Sequence, residues 1–189
     1  PHHLVQNAIM GSDYSRHVLG TARPTVGLMS NGTEEEKGNA LTKETSKLLR
    51  RTEGIHFIGN IEGHDLWETP PDVVVCDGFT GNILLKTSEA LAHAIFGMVK
   101  TEIHQSVRTK LGGLLAKPAF KRVHKKTNAD EYGGSPLLGL NGITIIAHGG
   151  ASPFAMKNAI RMACETISHR VNPHIEEAVK HYALTHAPA

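Results

Sequence analysis

Several glycine-rich segments of the sequence combine backbone amides with polar side chains, a pattern that suits the binding of anions. The first runs from Ser30 to Asn39 and leads into a predicted helix through Lys37, Gly38 and Asn39. N–H groups at the start of a helix and the positive end of its dipole attract negative charge, and the lysine adds a full charge. The spacing matches neither the nucleotide phosphate loop nor the dinucleotide-binding turn. A solvated loop before a helix is the plainer interpretation of these residues.

The segment between residues 77 and 82 carries the sharpest of these patterns. It contains, in order, Gly78, Thr80, Gly81 and Asn82. A glycine turn lets a ligand approach the backbone closely. In a helix predicted from about residue 83 to residue 105, Lys86 shares a face with Asn82 because four residues separate them. The pattern fits an anion site, and it fits equally a strand–turn–helix joint in which Asp77 caps the turn.

Two further loops follow predicted strands. In the segment 148–152, the amides of Gly149 and Gly150 would form an oxyanion pocket and His148 would donate a proton. The segment 59–65 contains Asn60 and offers Glu62 and Asp65 as a base or as metal ligands. A structural histidine and turn-capping carboxylates are the alternatives.

Strands that alternate with helices must hold these loops. Short apolar runs predict strands at 25–29, 55–59, 72–77 and 143–147, and periodic segments predict helices at 2–20, 40–51, 83–105, 152–170 and 173–186. Such runs favour an α/β fold, with a mainly parallel sheet covered by helices on both faces. Ligands of such sheets bind at the carboxyl ends of the strands, where all of these loops begin.

The segment 99–126 is basic and amphipathic. Eight Lys or Arg residues and one Glu give it a charge of +7, and apolar residues recur along it at helical spacing. We expect a projecting helical hairpin, broken near Gly112–Gly113 and at Pro118.

An anionic membrane surface is the partner that we favour for this hairpin. The contact residues would be Val107, Leu111, Leu114, Leu115, Lys121 and Arg122. An acidic protein, a dimer mate or nucleic acid could also cover it, although a near absence of aromatic residues disfavours nucleic acid.

Composition narrows the class of protein. With 189 residues, 40% of them hydrophobic and 20% charged, the chain can bury a core. Two cysteines exclude a disulfide framework and a four-cysteine zinc site, and they favour a reducing, cytoplasmic compartment. No apolar run reaches the ~20 residues of a membrane-spanning helix. Because the chain begins at Pro1 without an initiator methionine, we expect a fragment, and we expect no signal peptide.

The motifs occur together in a fixed order, at residues 26–29, 31–39, 57–65, 72–89, 132–142 and 147–149. In this order and spacing they resemble the PlsX family of phosphate acyltransferases. The family's amino-terminal part has no counterpart here. Gly150, Ala151 and Ser152 stand where the family usually has a Ser-Ser-Asp-like run.

The resemblance implies that residues 1–189 are the C-terminal part of an enzyme with a fold similar to isocitrate and isopropylmalate dehydrogenases and phosphotransacetylase. It implies reversible transfer of a fatty acyl group from acyl carrier protein to inorganic phosphate. The acyl phosphate would feed a downstream glycerol-3-phosphate acyltransferase in bacterial phospholipid synthesis. It further implies a cytoplasmic, peripherally membrane-associated homodimer with no cofactor, no metal and no nucleic-acid partner.

On this resemblance the catalytic residues would be Lys86, Asn82 and His148. The residues that bind phosphate or substrate would be Lys37, Gly38, Asn39, Asn60, Gly78, Thr80, Gly81, Gly149 and Gly150. Phosphate is itself a nucleophile, so that no enzyme nucleophile is required. The alternatives are an acyl-CoA phosphotransacetylase, a dehydrogenase of the same fold, for which the metal-binding aspartate cluster is absent, and a non-catalytic module that binds carrier protein or lipid.

Overall fold

A computed structural model describes residues 1–185 of the chain. Its α-helices are α1 (His2–His17), α2 (Ala40–Arg51), α3 (Asp65–Glu68), α4 (Gly78–Ile103), α5 (Val107–Thr127), α6 (Pro153–Ser168) and α7 (Val171–Thr185). Its strands are β1 (Thr25–Met29), β2 (His56–Ile61), β3 (Val73–Val75), β4 (Ser135–Pro136) and β5 (Ile145–Ile146), and residues 129–131 form a 3₁₀-helix. His186, which the sequence assigned to the last helix, lies outside the described residues.

The chain divides into two compact units. The first unit contains residues 1–77, 136–146 and those from Arg161 onward, and the second unit contains residues 78–135 and 147–160. The parallel sheet belongs to the first unit. The long helices α4 and α5 belong to the second.

Strand β1 is the centre of a three-stranded parallel sheet of order β2–β1–β3. Leu28 of β1 lies opposite Asn60 of β2 and Val75 of β3, and it is 1% exposed. A Cβ atom on Gly27 would lie 2.8 Å from Cγ2 of Ile61, so that the close packing at this position requires glycine. The predicted α/β class with a parallel sheet is confirmed.

Helices α1, α2 and α7 cover the sheet with apolar side chains. Val5 and Ala8 of α1 are completely buried, and Leu49 of α2 is 1% exposed. The buried cluster comprises Leu4, Val5, Ala8, Ile9, Val26, Leu28, Leu49, Val75 and Tyr182. Removal of this apolar surface from water is the main stabilising contribution to the first unit.

Helix α7 runs antiparallel to α1, with a histidine contact at each end of the pair. At one end, Nδ1 of His2 lies 3.1 Å from the hydroxyl oxygen of Tyr182. At the other end, the rings of His17 and His174 stack with centroids 3.9 Å apart. Burial, followed by the neighbouring His174, lowers the pKa of His17. These contacts fix the position of α7 along α1.

Helix α2 has the bounds that its sequence predicts, because local sequence signals mark both its start and its end. The side-chain Oδ1 of Asn39 accepts a hydrogen bond from the backbone N–H of Thr42 at 2.9 Å, which caps the amino end. Arg50 and Arg51 lie in the last turn, where cations interact favourably with the helix dipole.

In the second unit, α4 and α5 pack side by side in antiparallel directions. The Phe96 and His124 rings lie 5.7 Å apart, and a Cβ on Gly113 would lie 2.6 Å from Cγ2 of Ile103. Glycine at position 113 therefore lets the two helices approach closely. The described side chains of both helices are exposed or half-buried.

The breaks predicted inside 99–126 are wrong. Helix α5 continues through Gly112–Gly113 and through Pro118, and the interruption lies at residues 104–106. Ser106 caps α5 through a reciprocal capping box with Thr109, and this local motif sets the start of the helix. Proline removes one helix hydrogen bond, which a helix of 21 residues tolerates.

Other predicted boundaries are also wrong. The helix expected from residue 83 begins at Gly78, because glycine is tolerated in a first turn, where N–H groups lack helical partners. The buried strand expected at 143–147 is reduced to Ile145–Ile146, which pairs with Ser135–Pro136 in a separate two-stranded sheet, and Ile146 is 55% exposed. Asn60, expected in a loop, is part of β2.

Truncation of Leu28 tests the importance of the central strand. Leu28→Ala should lower the free energy of unfolding by about 2–5 kcal/mol, because it leaves a cavity at a site that is 1% exposed. The matched control is Leu19→Ala, at a leucine that is 65% exposed, and it should change stability by less than about 0.5 kcal/mol. Urea unfolding of both variants measures the difference, and equal losses would contradict the assignment of the core.

The hydrogen-bonded carboxylate of Asp72 should make the folded chain less stable at acid pH. Its carboxylate accepts hydrogen bonds from the backbone N–H and the hydroxyl of Thr25 at 2.8 and 2.7 Å, and these bonds lower the pKa of Asp72. A lowered folded-state pKa means that the stabilisation is complete above the unfolded value of about 3.9 and is lost as pH falls through the folded value. The difference in stability between the native chain and Asp72→Asn should therefore shrink below about pH 4. Urea titrations at pH 3 and pH 7 measure it, and a difference independent of pH would contradict this role.

Candidate functional site

The loop 30–39 begins at the carboxyl end of β1 and is held by side-chain amides. Asn31 Oδ1 accepts a hydrogen bond from the backbone N–H of Gly38 at 2.8 Å. Gly38 has φ +93°, and a Cβ there would lie 2.8 Å from Thr42 Cβ. Both the left-handed backbone and the close approach require glycine at this position. The loop therefore enters α2 in one defined conformation.

The charged side chains of this loop point to solvent. Lys37 is exposed, and no ion pair joins its ammonium group to another residue within 1–185. Glu35 instead pairs with Arg50 at 2.8 Å. The stem of Lys37 passes Gly32, where a Cβ would lie 2.5 Å from Lys37 Cγ. An exposed cation beside a helix start remains available for an anionic ligand.

Two polar atoms beneath the loop lack the hydrogen bonds that buried groups usually make. Asn60 is 7% exposed; its Nδ2 donates to the carbonyl oxygen of Glu34 at 2.8 Å, whereas its Oδ1 is buried without a partner among the described residues. Ser30 Oγ is also buried and unpartnered there. Such atoms are uncommon. They make this edge of the sheet the best-marked candidate for ligand binding in the first unit.

In the second unit, the predicted segment 78–82 forms the amino end of α4. Gly78, Thr80 and Gly81 lie in its first turn or immediately after it. The N–H groups of a first helical turn point out of the helix end, where the dipole is positive. The correction of the helix start thus strengthens the anion-binding character of this segment.

Asn82 and Lys86 extend from the same helix as exposed side chains. The Lys86 side chain is 60% exposed, and its Nζ lies 3.4 Å from Oε2 of Glu89. A surface pair of this kind contributes little to stability. Lys86 can therefore exchange this partner for a phosphate group at small cost.

The turn at 148–150 has a hydrogen bond that sets the histidine tautomer. The backbone N–H of Gly150 donates to Nδ1 of His148 at 3.1 Å. A neutral imidazole that accepts at Nδ1 carries its proton on Nε2. The exposed His148 ring thus presents a donor, while the Gly150 amide is engaged by the ring rather than directed at a separate acceptor.

Sequence reasoning missed the groups that hold this turn against α6. Ser152 Oγ donates to Oδ2 of Asp130 at 2.8 Å and accepts from the N–H of Ala155 at 3.1 Å. Asn158 Nδ2 donates to the carbonyl oxygen of Asp130 at 2.9 Å. The only sequence signal was the unusual Ser152 itself, which proves to cap the helix. Asp130 is remote in sequence, and no local pattern indicates it.

The structure therefore brings the predicted residues together in three groups. Lys37, Gly38, Asn39 and Asn60 meet at one edge of the sheet in the first unit. In the second unit, Gly78 to Lys86 share one helix, and His148, Gly149 and Gly150 share one turn. Over residues 1–185, no three His, Cys, Asp or Glu side chains lie together in a way that would hold a metal ion.

The apolar stripe predicted on the basic segment at residues 99, 103, 107, 111, 114 and 115 is exposed at its last four positions, whereas Val99 and Ile103 are half-buried. Val107, Leu111, Leu114 and Leu115 are 84%, 61%, 64% and 77% exposed, and Lys121 and Arg122 are also exposed. Apolar side chains in such a series on one helix face form a candidate contact surface for another molecule. Within the part of the chain that the structure describes, no helix is long and apolar enough to cross a bilayer.

Comparison with known proteins supports the family resemblance that the order of the motifs indicated. A family model described as "fatty acid synthesis protein" matches residues 1–174. A phosphate acyltransferase from Pelobacter propionicus is 54% identical over 177 residues, covering 94% of this chain and 51% of that protein. Those from Geotalea uraniireducens and Pelotomaculum thermopropionicum are 51% and 47% identical over 180 residues, each covering 95% of this chain and 52% of the relative.

The chain thus spans about half the length of the curated relatives it matches. The family model covers nearly all of it, including each of the three groups of candidate site residues. The chain therefore belongs to the fatty acid synthesis protein family, the PlsX family that its motifs indicated.

Proposed function

We propose that the protein to which this chain belongs transfers a fatty acyl group reversibly from acyl carrier protein to inorganic phosphate. The acyl phosphate would then serve a glycerol-3-phosphate acyltransferase in phospholipid synthesis. The observation that carries this proposal is 54% identity to a phosphate acyltransferase across 94% of the chain. The anion-suited loop and helix ends are the local features that support it.

The chemistry requires two anions to be brought together and one carbonyl to be polarised. A phosphate oxygen forms a bond to the thioester carbon, the carbon–sulfur bond breaks, and the departing sulfur takes a proton. Lysine side chains and helix amino ends can neutralise phosphate, and positioning alone supplies a large part of the rate. No enzyme nucleophile is needed, because phosphate itself attacks.

We assign phosphate binding to Lys37 and Lys86 together with the helix starts next to them. Gly38 and Asn39 shape the start of α2, and Gly78, Thr80 and Gly81 shape that of α4. Asn82 would orient the substrate on the same helix face as Lys86. Asn60 lies beneath the first loop, where its unpartnered Oδ1 would accept from a ligand.

His148 is the proposed proton donor to the departing sulfur. Its Nε2 carries the proton when Nδ1 accepts from Gly150, and its ring is exposed. Because Gly149 and Gly150 carry no side chains, a thioester could approach the backbone of this turn closely.

We further propose the larger architecture that the family resemblance implies. Residues 1–189 would be the C-terminal part of an enzyme with a fold like those of isocitrate and isopropylmalate dehydrogenases. That enzyme would act as a homodimer. The three-stranded parallel sheet is compatible with this fold.

A donor comparison tests the reaction. The enzyme containing this chain is incubated with phosphate and either acyl carrier protein thioester or acyl-CoA, and acyl phosphate is trapped with hydroxylamine. We expect acyl phosphate from the carrier-protein thioester. Product from acyl-CoA alone would identify a phosphotransacetylase-like enzyme, and no product from either donor would contradict enzymatic transfer.

Removal of the Lys86 ammonium tests the phosphate site. Lys86→Ala should raise the KM for phosphate at least tenfold, because a hydrogen bond to a charged group contributes about 1.5–3 kcal/mol. Lys47→Ala is a matched control, since Lys47 is 70% exposed and also pairs with a glutamate three residues away. Unchanged phosphate dependence in Lys86→Ala, with normal folding, would remove Lys86 from the site.

We propose that the basic segment 99–126 holds the enzyme on an anionic membrane surface. The exposed apolar stripe at residues 107, 111, 114 and 115 would enter the interface, and the basic side chains would bind lipid headgroups. Each basic residue close to the surface contributes about 1 kcal/mol. The same charge would attract an acidic carrier protein.

Charge reversal tests this anchor. Lys121→Glu with Arg122→Glu should weaken binding to phosphatidylglycerol vesicles by at least about 2 kcal/mol, or roughly 30-fold. Lys43→Glu with Lys47→Glu, on α2, is the control and should have little effect. Vesicle sedimentation at two salt concentrations measures both, and binding that is unchanged by the reversal and insensitive to salt would rule out the electrostatic anchor.

A further inference from the structure

One cleft of the first unit has no place in the assignments above. It has a volume of about 770 Å³ and lies between α1, α7 and the loop 138–141. This volume falls within the range of about 300–1,000 Å³ that is typical of small-molecule sites. The loop belongs to a family motif, 132–142, that the proposed roles leave unused.

Specific contacts hold the loop over the cleft. Asn172 of α7 donates from Nδ2 to the carbonyl oxygen of Leu140 at 3.0 Å. Gly139 has φ +83°, and a Cβ there would lie 3.1 Å from Sδ of Met10 on α1. The packing of Gly139 on α1 and the hydrogen bond from α7 hold the loop in a defined position, so that it forms one wall of the cleft.

The lining combines neutral amides with apolar surface. Gln6, Asn7, Asn141 and Asn172 supply side-chain amides, each able to donate and to accept. Met10, Leu138, Leu140, Ile175 and Val179 supply the apolar walls. The charged pair in the lining is internally neutral, because Lys180 Nζ lies 2.6 Å from Glu176 Oε1 and this bond lowers the pKa of Glu176.

The α1 wall of the cleft lies toward the carboxyl edge of the sheet. Arg16, near the end of α1, lines a small cavity together with Ile55, which precedes β2. Gly11 packs against Val73, the first residue of β3. The first turns of α1 therefore extend toward the edge from which the loop 30–39 emerges.

We propose that this cleft binds the pantetheine arm of the thioester donor. That arm is an extended chain with two amide groups and short apolar stretches between them, and it carries no charge of its own. A lining of neutral amides between apolar walls offers partners to both kinds of group in the arm. The proposal rests on the proposed function, since the arm is the part that acyl carrier protein and coenzyme A share.

Other ligands fit this lining less well. Inorganic phosphate or a nucleotide would need several cations, whereas the lining supplies one lysine, Lys180, and the neighbouring Glu176 offsets its charge. A bare acyl chain would offer no hydrogen bonds to the side-chain amides of Gln6, Asn7 and Asn141. The pantetheine arm satisfies both the polar and the apolar parts of the wall.

Binding of S-methyl pantetheine tests the proposal without acyl transfer. The methyl cap prevents disulfide exchange with the exposed Cys164. We expect calorimetry or NMR titration to detect binding, and Gln6→Met with Asn7→Leu to weaken it about tenfold, because two hydrogen bonds are lost at constant size. Gln105→Met is the matched control and should bind normally. Asn141→Leu alters the opposite wall and should also weaken binding.

Activity assays separate this proposal from the proposed function. In the active enzyme, Gln6→Met with Asn7→Leu should raise the KM for the thioester donor and leave the KM for phosphate unchanged. A similar rise with carrier protein and with coenzyme A as donor indicates the shared arm as the ligand. Pantetheine binding without any acyl transfer would keep the cleft assignment and overturn the function. Normal acyl transfer with binding and KM unaffected by the variants would overturn the cleft assignment alone.

Discussion

The arrangement of the first unit depends on parallel pairing along both edges of β1. Because β2 and β3 pair with both of its edges, its carboxyl end cannot shift in register. The loop 30–39 leaves from that fixed end, and the backbone N–H of Ser30 still donates to the carbonyl oxygen of Ile61 at 2.8 Å. The position of the loop is thus set by the sheet, whereas its internal shape is set by Asn31, Gly38 and Asn39.

Backbone and side-chain groups have different roles in the candidate anion sites. The candidate anion sites are helix starts shaped by glycine and asparagine, and the lysines next to them stay exposed with weak partners or none among the described residues. Rigid amide groups need no reorganisation when a charged ligand binds, and mobile lysines can adapt to it. This arrangement is consistent with the proposed reaction, in which phosphate itself would attack the thioester.

The second unit is built on different principles. Helices α4 and α5 contact each other at few points, such as Phe96 with His124, and leave most of their apolar side chains in solvent. Capping by Ser106 and intrahelical hydrogen bonds maintain α5 with little buried surface. The basic segment 99–126 carries a charge of +7, and this charge underlies the proposal that the helix pair binds an anionic surface.

The sequence by itself determined the features that local physics controls. The apolar run at 25–29 matches β1, whereas the run at 72–77 contains the shorter strand Val73–Val75, in which Val75 alone is buried. The helix at 40–51 was predicted to the residue, and the motif order identified the family. Tertiary structure decided what depends on partners remote in the chain. The run 143–147 has the composition of a buried strand, yet it pairs with only two residues outside the main sheet. Asp130 supports Ser152 across 22 residues. Ser30 Oγ and Asn60 Oδ1, which are buried without partners among the described residues, become neighbours of one loop only when β1 and β2 pair. Local sequence encodes propensity and capping, whereas burial and long-range hydrogen bonds exist only after the elements have packed.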